Sequence, residues 1–268
     1  MALTVITSAQ RAAEPVGLKA LIAGPPGVGK TSLLRTLPAA ILERSLLINV
    51  DGGDLAVKNL AGFDEIRPET FEDIAFVAAL LGGPDPAMAA NDMYSSAHYN
   101  VAQRRLGATL DRLDEYVLLF VDSITAVSRL SFAYASQQPA AFTAAGVADL
   151  RSAYGIHARQ MTSLLRQIQR ARAAHVIFVC ILELVADESK RTFWSLQTEG
   201  QRFSREVAGI VDCLITMQHL DFGDGKAIRG FVCTSPNPWN YPAKDRSGRL
   251  EMTEPPDLGR LIHKLTAA

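Results

Sequence analysis

Cysteine is scarce in this chain. There are three in 268 residues, Cys180, Cys213 and Cys233, each inside an apolar, strand-like run and none in C-x-x-C spacing. That excludes a disulfide framework and a zinc site, and predicts buried free thiols in a reducing, cytoplasmic setting. A surplus of charge is also lacking. Lys and Arg number 27 against 28 Asp and Glu, a formal net charge of −1. No global basicity advertises nucleic acid, so any polyanion site must be a local patch. No apolar run reaches the roughly 20 residues that span a bilayer, so no membrane partner is expected. The N-terminal Met-Ala-Leu-Thr-Val-Ile-Thr has neither a basic region nor a long apolar core, and predicts no signal peptide. No internal repeat is present. What remains is the composition of a soluble globular protein, 48% hydrophobic and 21% charged. Its length suits one sizeable core with insertions.

Residues 1–18 read as an N-terminal strand (3–7) and a linker (8–17), a candidate oligomer contact. Residues 19–268 read as one core with an irregular insertion near 82–100, rich in Gly and Pro. Apolar runs of strand length occur at 20–23, 45–50, 116–121, 176–182, 210–217 and 228–234. The last two are joined by the hairpin-like turn Asp221-Phe-Gly-Asp-Gly. Helical spacing marks Phe71 to Leu81, then Leu106, Leu110 and Leu113, then a segment to about Ser136. Ile156 to Ile168 form a long helix whose other face carries Arg159, Arg166 and Arg170, and Leu258 to Leu265 form a closing helix. Buried strands alternating with helices imply an α/β fold. Its sheet is mainly parallel and flanked by helices, with a C-terminal β-hairpin extension.

The first of these strands runs into Gly24-Pro25-Pro26-Gly27-Val28-Gly29-Lys30-Thr31-Ser32, which satisfies the P-loop pattern G-x-x-x-x-G-K-[ST]. Glycines let successive peptide N–H groups curl around a phosphate. A helix starting at Lys30 would add its positive end. Lys30 would reach the β- and γ-phosphates, and Thr31 would ligate Mg²⁺. The motif therefore predicts a nucleoside triphosphate with Mg²⁺. About 90 residues on, Leu118 to Ser123 form a Walker B pattern whose Asp122 would hold the metal through water. Asp51, at another strand end before Gly52-Gly53, is a candidate for orienting and deprotonating a water; a turn or capping aspartate is the alternative.

With these motifs the chain resembles the RecA-like ATPases, most closely the core-only phage versions used in single-strand annealing and recombination. The marks are the P-loop, Asn-Val-Asp-Gly-Gly at 49–53, Phe-Val-Asp-Ser-Ile at 120–124 and Ala-Lys-Asp-Arg-Ser-Gly at 243–248. The family's second motif usually reads Asp-Thr-Glu-Gly-Gly, so Asp51 stands at the position of the water-activating Glu, one methylene shorter. The resemblance implies that the 176–182 strand lies between the P-loop and Walker B strands. Glu183 would then stand at the sensor position, with a surface carboxylate as the alternative. It also implies that Lys244 and Arg246 reach a neighbouring subunit's γ-phosphate, a solvated basic turn being the alternative. Two DNA loops are implied near 134–155 and 184–206. The second holds Lys190, Arg191, Phe193, Trp194, Arg202 and Arg205, cations that can track phosphates and rings that can stack on bases. The alternative is that the aromatics pack on the domain.

The implied function is an ATPase that binds single-stranded DNA and promotes annealing or strand exchange in phage recombination. ATP would be hydrolysed at interfaces of a head-to-tail ring or filament, with a single-strand-binding protein as a further partner. Two rivals stay open: a P-loop ATPase acting on a protein partner in remodelling or packaging, and a nucleotide-switched binding module with little turnover.

Overall fold

The computed structural model describes residues 5–14, 17–107, 112–171, 174–223 and 225–266. Among them the strands are β1 (Lys19–Gly24), β2 (Ser45–Asn49), β3 (Asp64–Ile66), β4 (Leu118–Asp122), β5 (His175–Ala186), β6 (Thr192–Leu196), β7 (Cys213–Leu220), β8 (Ile228–Val232), β9 (Lys244–Asp245) and β10 (Thr253–Glu254). The helices are α1 (Ser8–Ala13), α2 (Ala39–Leu42), α3 (Phe71–Gly82), α4 (Ser96–Leu106), α5 (Ile124–Ser136), α6 (Leu150–Gln169), α7 (Gln201–Ile210) and α8 (Leu258–Thr266).

The sheet order is β10-β8-β7-β1-β5-β4-β2-β3, with β6 paired to β5 and β9 paired to β7. From β7 to β3 every neighbouring pair is parallel, and β8, β10, β6 and β9 add antiparallel edges. This is the expected mainly parallel α/β sheet with a C-terminal hairpin, and β5 does lie between β1 and β4. All six residues of β1 are buried. Such a strand can sit only at the centre, where helices cover both faces. Even Lys19 is buried there, its ammonium donating to the carbonyls of Ala171 (2.8 Å) and Ala174 (2.6 Å).

Two cores sandwich the sheet. On one face Phe71, Leu164, Phe203 and Val127 pack on Phe178, Leu119 and Leu21. On the other Leu33, Leu34 and Leu261 pack on Ile22, Phe120, Ile177 and Phe231. Each such side chain, fully buried, contributes roughly 1.5–3 kcal/mol. Local sequence starts the helices. Thr70 and Asp73 form a reciprocal capping box for α3, Ser123 caps α5 and Asp149 caps α6. Each satisfies peptide donors that have no partner inside the helix.

Several sequence expectations change. Residues 8–13 are not linker but α1, started by a Thr7/Gln10 capping box. Of the expected strand at 3–7, residues 3–4 lie outside the described residues, and 5–7 are not strand. The segment after the P-loop is a 3₁₀-helix, Thr31–Thr36, not an α-helix. Leu33 N–H donates to Lys30 O at 3.1 Å and Leu37 N–H to Leu34 O at 3.3 Å, and Pro38, lacking an N–H, stops the ladder. The helix expected over Leu106, Leu110 and Leu113 divides: Leu106 ends α4, Leu113 begins a 3₁₀ turn, and Leu110 lies outside the described residues. Ile210 closes α7 rather than opening a strand, and β7 starts at Cys213. The basic stretch after Leu182 is not loop throughout: β5 continues to Ala186 and turns back as β6, with α7 following.

Candidate nucleotide site

Strands β1, β4 and β2 are parallel, so the residues that leave them gather along one edge of the sheet. Gly24 ends β1, and a Cβ there would lie 2.5 Å from the Met217 carbonyl oxygen, so only glycine lets β1 and β7 run this close. The loop that follows turns through Gly27 and Gly29, at φ of 76° and 98°, a region that side chains disfavour. Lys30 is buried, and its ammonium donates to the carbonyls of Gly24 (2.8 Å) and Pro25 (2.9 Å). Burial pushes it below the ordinary lysine value, and Asp122, Cys180 and Asp51 pull it partly back.

The Thr31 hydroxyl donates to Asp122 Oδ2 at 2.5 Å. Asp122, 7% exposed, ends β4 beside β2. Burial raises its carboxyl above the ordinary aspartate value, and the Thr31 hydrogen bond opposes this. The Asp122 carbonyl accepts from the peptide N–H groups of Val50 (2.7 Å) and Asp51 (3.2 Å). Asn49 shapes the same turn. Its amide donates to Glu65 (2.7 Å), and its oxygen accepts from Gly52 N–H (2.9 Å). Asp51 is thereby left exposed, close enough to act electrostatically on both Lys30 and Asp122.

Four predicted residues thus converge: Lys30, Thr31, Asp51 and Asp122. The oxygens of Thr31 and Asp122 suit Mg²⁺, a hard cation that takes one or two protein oxygens and keeps the rest for water and phosphate. Gly27, Val28, Gly29, Lys30, Thr31 and Ser32 each carry a peptide N–H, that of Val28 donating to the Pro25 carbonyl at 3.4 Å, whereas Pro25 and Pro26 have none to give. Glu183 stands two residues past the last β5–β1 pair, Ile181 with Gly24, and accepts from the Gln197 amide at 3.2 Å. Cys180, buried midway along β5 beside Ala23, contacts the Thr125 hydroxyl at 3.4 Å, and burial pushes its thiol up to about 11.

The remaining predicted residues lie elsewhere. Lys244 pairs with Leu214 near the start of β7, and Leu214 pairs with Leu21, so Lys244 is toward the end of the sheet away from Gly24. Lys244 donates to the carbonyls of Ala208 (2.5 Å) and Val211 (2.8 Å). Arg246 donates to Gly209 O (2.8 Å) and pairs with Asp212 at 3.4 Å. Both cations therefore satisfy carbonyls at the C-terminal end of α7.

Lys190 and Arg191 lie at the tip of the β5–β6 hairpin, Arg191 beside Asp187 at 3.8 Å. Phe193 is 51% exposed, while Trp194 packs on Tyr241 with ring centroids 5.3 Å apart. A cleft of about 930 Å³ between hairpin and α7 brings Phe193, Trp194 and Arg205 together. Arg202 pairs instead with Glu206 at 2.8 Å and faces a second cleft, shared with Arg159 and Arg166 of α6.

Two features were not anticipated from the sequence. Arg229 of β8 extends over the P-loop, its Nη1 3.5 Å from the Val28 carbonyl; the register of β8 on β7 brings it there, and no motif marks it. His157 of α6 is buried between Ser131 of α5 (3.0 Å) and the Glu199 carbonyl (2.7 Å), while Ser128 accepts from Glu199 N–H at 2.7 Å. This network ties the helix that follows Asp122 to the root of α7. A polar residue on an otherwise apolar helix face was the available signal.

A family model described as an AAA domain, AAA_24, matches residues 16–247. No curated protein sequence matches significantly. Among solved structures, the chain is similar to an ATPase from the type III secretion system of pathogenic bacteria, with TM-score 0.42, 16% identity and coverage of 76% of this chain and 52% of that one. The chain thus spans about half the length of that ATPase. It is also similar to the RadB recombinase, at TM-score 0.38 and 15% identity over 81% and 80% of the two chains. A third likeness is to the Legionella pneumophila ATPase DotB, at TM-score 0.29 and 8% identity over 82% and 45%.

Proposed function

Because the chain belongs to the AAA_24 family of AAA domains and has the fold of a RecA-like P-loop ATPase, we propose that it hydrolyses ATP with Mg²⁺ and uses the cycle to act on single-stranded DNA in recombination. The observation that carries the ATPase reading is the Thr31–Asp122 hydrogen bond at 2.5 Å, beside a lysine folded into its own loop.

When bound, Mg²⁺ supplies charge neutralisation between the β- and γ-phosphates. The protein's own groups do the rest. Peptide N–H groups of residues 27–32 bind the phosphate oxygens, and Lys30 exchanges its carbonyl partners for the β- and γ-phosphates. Thr31 and Asp122 hold the metal side. Asp51 orients a water and accepts its proton; its exposure lets that water enter from bulk solvent. Glu183, where β5 runs past the end of β1 into the hairpin, responds to the γ-phosphate and is itself a hairpin residue, paired with Ser195 and held by the Gln197 amide.

Support for a DNA-directed role comes from the hairpin, where an exposed ring, Phe193, lies beside Lys190 and Arg191. Arg205, across the cleft, adds a further cation. Head-to-tail self-association belongs to the same reading, with Arg246, half exposed in the single chain, as the residue offered to a neighbour. The test is ATPase rate with and without single-stranded DNA, for wild type and Lys30→Ala. DNA-stimulated turnover that Lys30→Ala abolishes is expected. Turnover in Lys30→Ala removes the P-loop from the chemistry, and turnover indifferent to DNA favours a protein partner.

A further inference from the structure

Arg229 is exposed and forms no ion pair among the described residues. Its guanidinium nevertheless has a definite place. Nη1 lies 3.5 Å from the Val28 carbonyl, a long contact, and 2.5 Å from where a Cβ on Gly29 would be. The side chain that Gly29 lacks is the space this cation fills. The Met217 methyl, 3.8 Å from the same point, lines its approach from β7.

Which part of a nucleotide such a cation meets follows from the sheet order. Thr31 and Asp122 would hold a metal on the side of the β- and γ-phosphates. Asp122 ends β4, and β4 lies beyond β5 from the P-loop strand. The γ end of a bound triphosphate therefore points toward β5 and β4. Its α-phosphate and nucleoside leave the loop on the other side, over β7 and β8. Arg229 stands on that side, level with His219 and beyond the end of β1.

We propose that Arg229 is a nucleotide-binding residue on the nucleoside side of the site, whose guanidinium leaves the Val28 carbonyl to bind the α-phosphate. A guanidinium can donate two parallel hydrogen bonds to a phosphate, which fixes orientation as well as adding attraction. The contact is shared by ATP and ADP, so it holds the nucleotide through the cycle without discriminating between them. The inference rests on the reading of the P-loop as a nucleoside triphosphate site.

The experiment is calorimetric titration of wild type, Arg229→Ala and Arg229→Gln with ATP and with ADP, in Mg²⁺, beside melting of each ligand-free variant. Binding of neither nucleotide by wild type refutes the nucleotide reading itself. Given wild-type binding, Arg229→Ala should weaken ATP and ADP alike, by about tenfold, the scale of one hydrogen bond to a charged group. Ligand-free melting should stay within about 2 °C, as for an exposed side chain. A loss confined to ATP would place the cation at the γ-phosphate and overturn the proposal, as would no loss at all. Glutamine keeps an N–H donor and part of the stem but carries no charge and is two atoms shorter. Wild-type affinity in Arg229→Gln, with loss in Arg229→Ala, would make Arg229 a support of the loop alone and also overturn it.

Discussion

Replacing Asp122 by Asn should make the ligand-free protein more stable while destroying its response to metal. The carboxylate is 7% exposed, and burial raises its pKa despite the Thr31 hydrogen bond and the nearby Lys30, so its charge is under-compensated. Returning a buried carboxylate to neutrality recovers a penalty of several kcal/mol. Against that, Asn accepts from Thr31 only as a neutral group, losing about 1 kcal/mol. Lys30 also loses its strongest counter-charge, which at an effective dielectric near 20 is worth a few kcal/mol at most. The raised pKa is the net of these opposing effects, so the balance favours Asn, on the order of 1 kcal/mol, or roughly 2–4 °C in melting temperature for a chain of this size.

The sign with pH follows. A carboxyl whose folded pKa is raised binds more protons folded than unfolded between the two pKa values. Its contribution is therefore most favourable below the unfolded pKa and is lost as pH rises through the folded one. Wild type and Asp122→Asn should melt together in acid and separate, Asn higher, as pH rises above the ordinary aspartate range. With Mg²⁺ and ATP the order should reverse, because only wild type gains the metal's share of ligand stabilisation. The assay is thermal melting across pH, with and without Mg²⁺·ATP. A variant that melts below wild type at neutral pH without ligand, or keeps full metal-dependent stabilisation with it, refutes the reasoning.

Asp51→Asn keeps size and hydrogen bonding but cannot accept a proton, so ATP affinity should stay near wild type while hydrolysis falls at least a hundredfold; unchanged turnover would shift the role to Glu183. Phe193→Ala should weaken single-strand binding by about 1–3 kcal/mol if its exposed ring stacks on a base. Trp194→Ala, whose ring rests on Tyr241, should cost stability in urea as well. Equal affinity of both variants and wild type for DNA would remove the hairpin from the interface. Lys30→Ala and Arg246→Ala subunits, each inactive alone, should recover part of the ATPase on mixing if Arg246 serves a neighbour. A mixture that recovers nothing, together with a lowered melting temperature for Arg246→Ala, would leave Arg246 as a cap of α7 alone.

The parallel core was readable because fully buried strands announce themselves as unbroken apolar runs, Leu118 to Val121 being one. The phosphate loop was readable because its glycines sit at fixed offsets from Lys30. Asp51 was picked out as a carboxylate following a strand, and it lies two residues past the end of β2. Lys244 and Arg246 were visible as a basic pair, but their bonds to α7 depend on β9 meeting β7, a contact between segments about thirty residues apart with no local signature. The hairpin was obscured because Glu183, Lys190 and Arg191 give the stretch the polarity of a loop. Cross-strand pairs such as Leu184 with Trp194 overrode it. Arg229 was hidden for the same reason, since its partner is fixed by strand register and not by neighbours in sequence.

Lys30 begins its working life already satisfied, its ammonium shared between two carbonyls of the loop it belongs to. Nucleotide entry is therefore an exchange reaction at that nitrogen, with as many hydrogen bonds afterwards as before. Only the difference between a carbonyl dipole and a full negative charge drives it. A neutral ligand of the right shape gains almost nothing from displacing the carbonyls, whereas a polyphosphate gains a Coulomb term in a site that burial has already dried. The loop thus selects for charge at this lysine, and any discrimination among nucleotides of equal charge has to come from other residues.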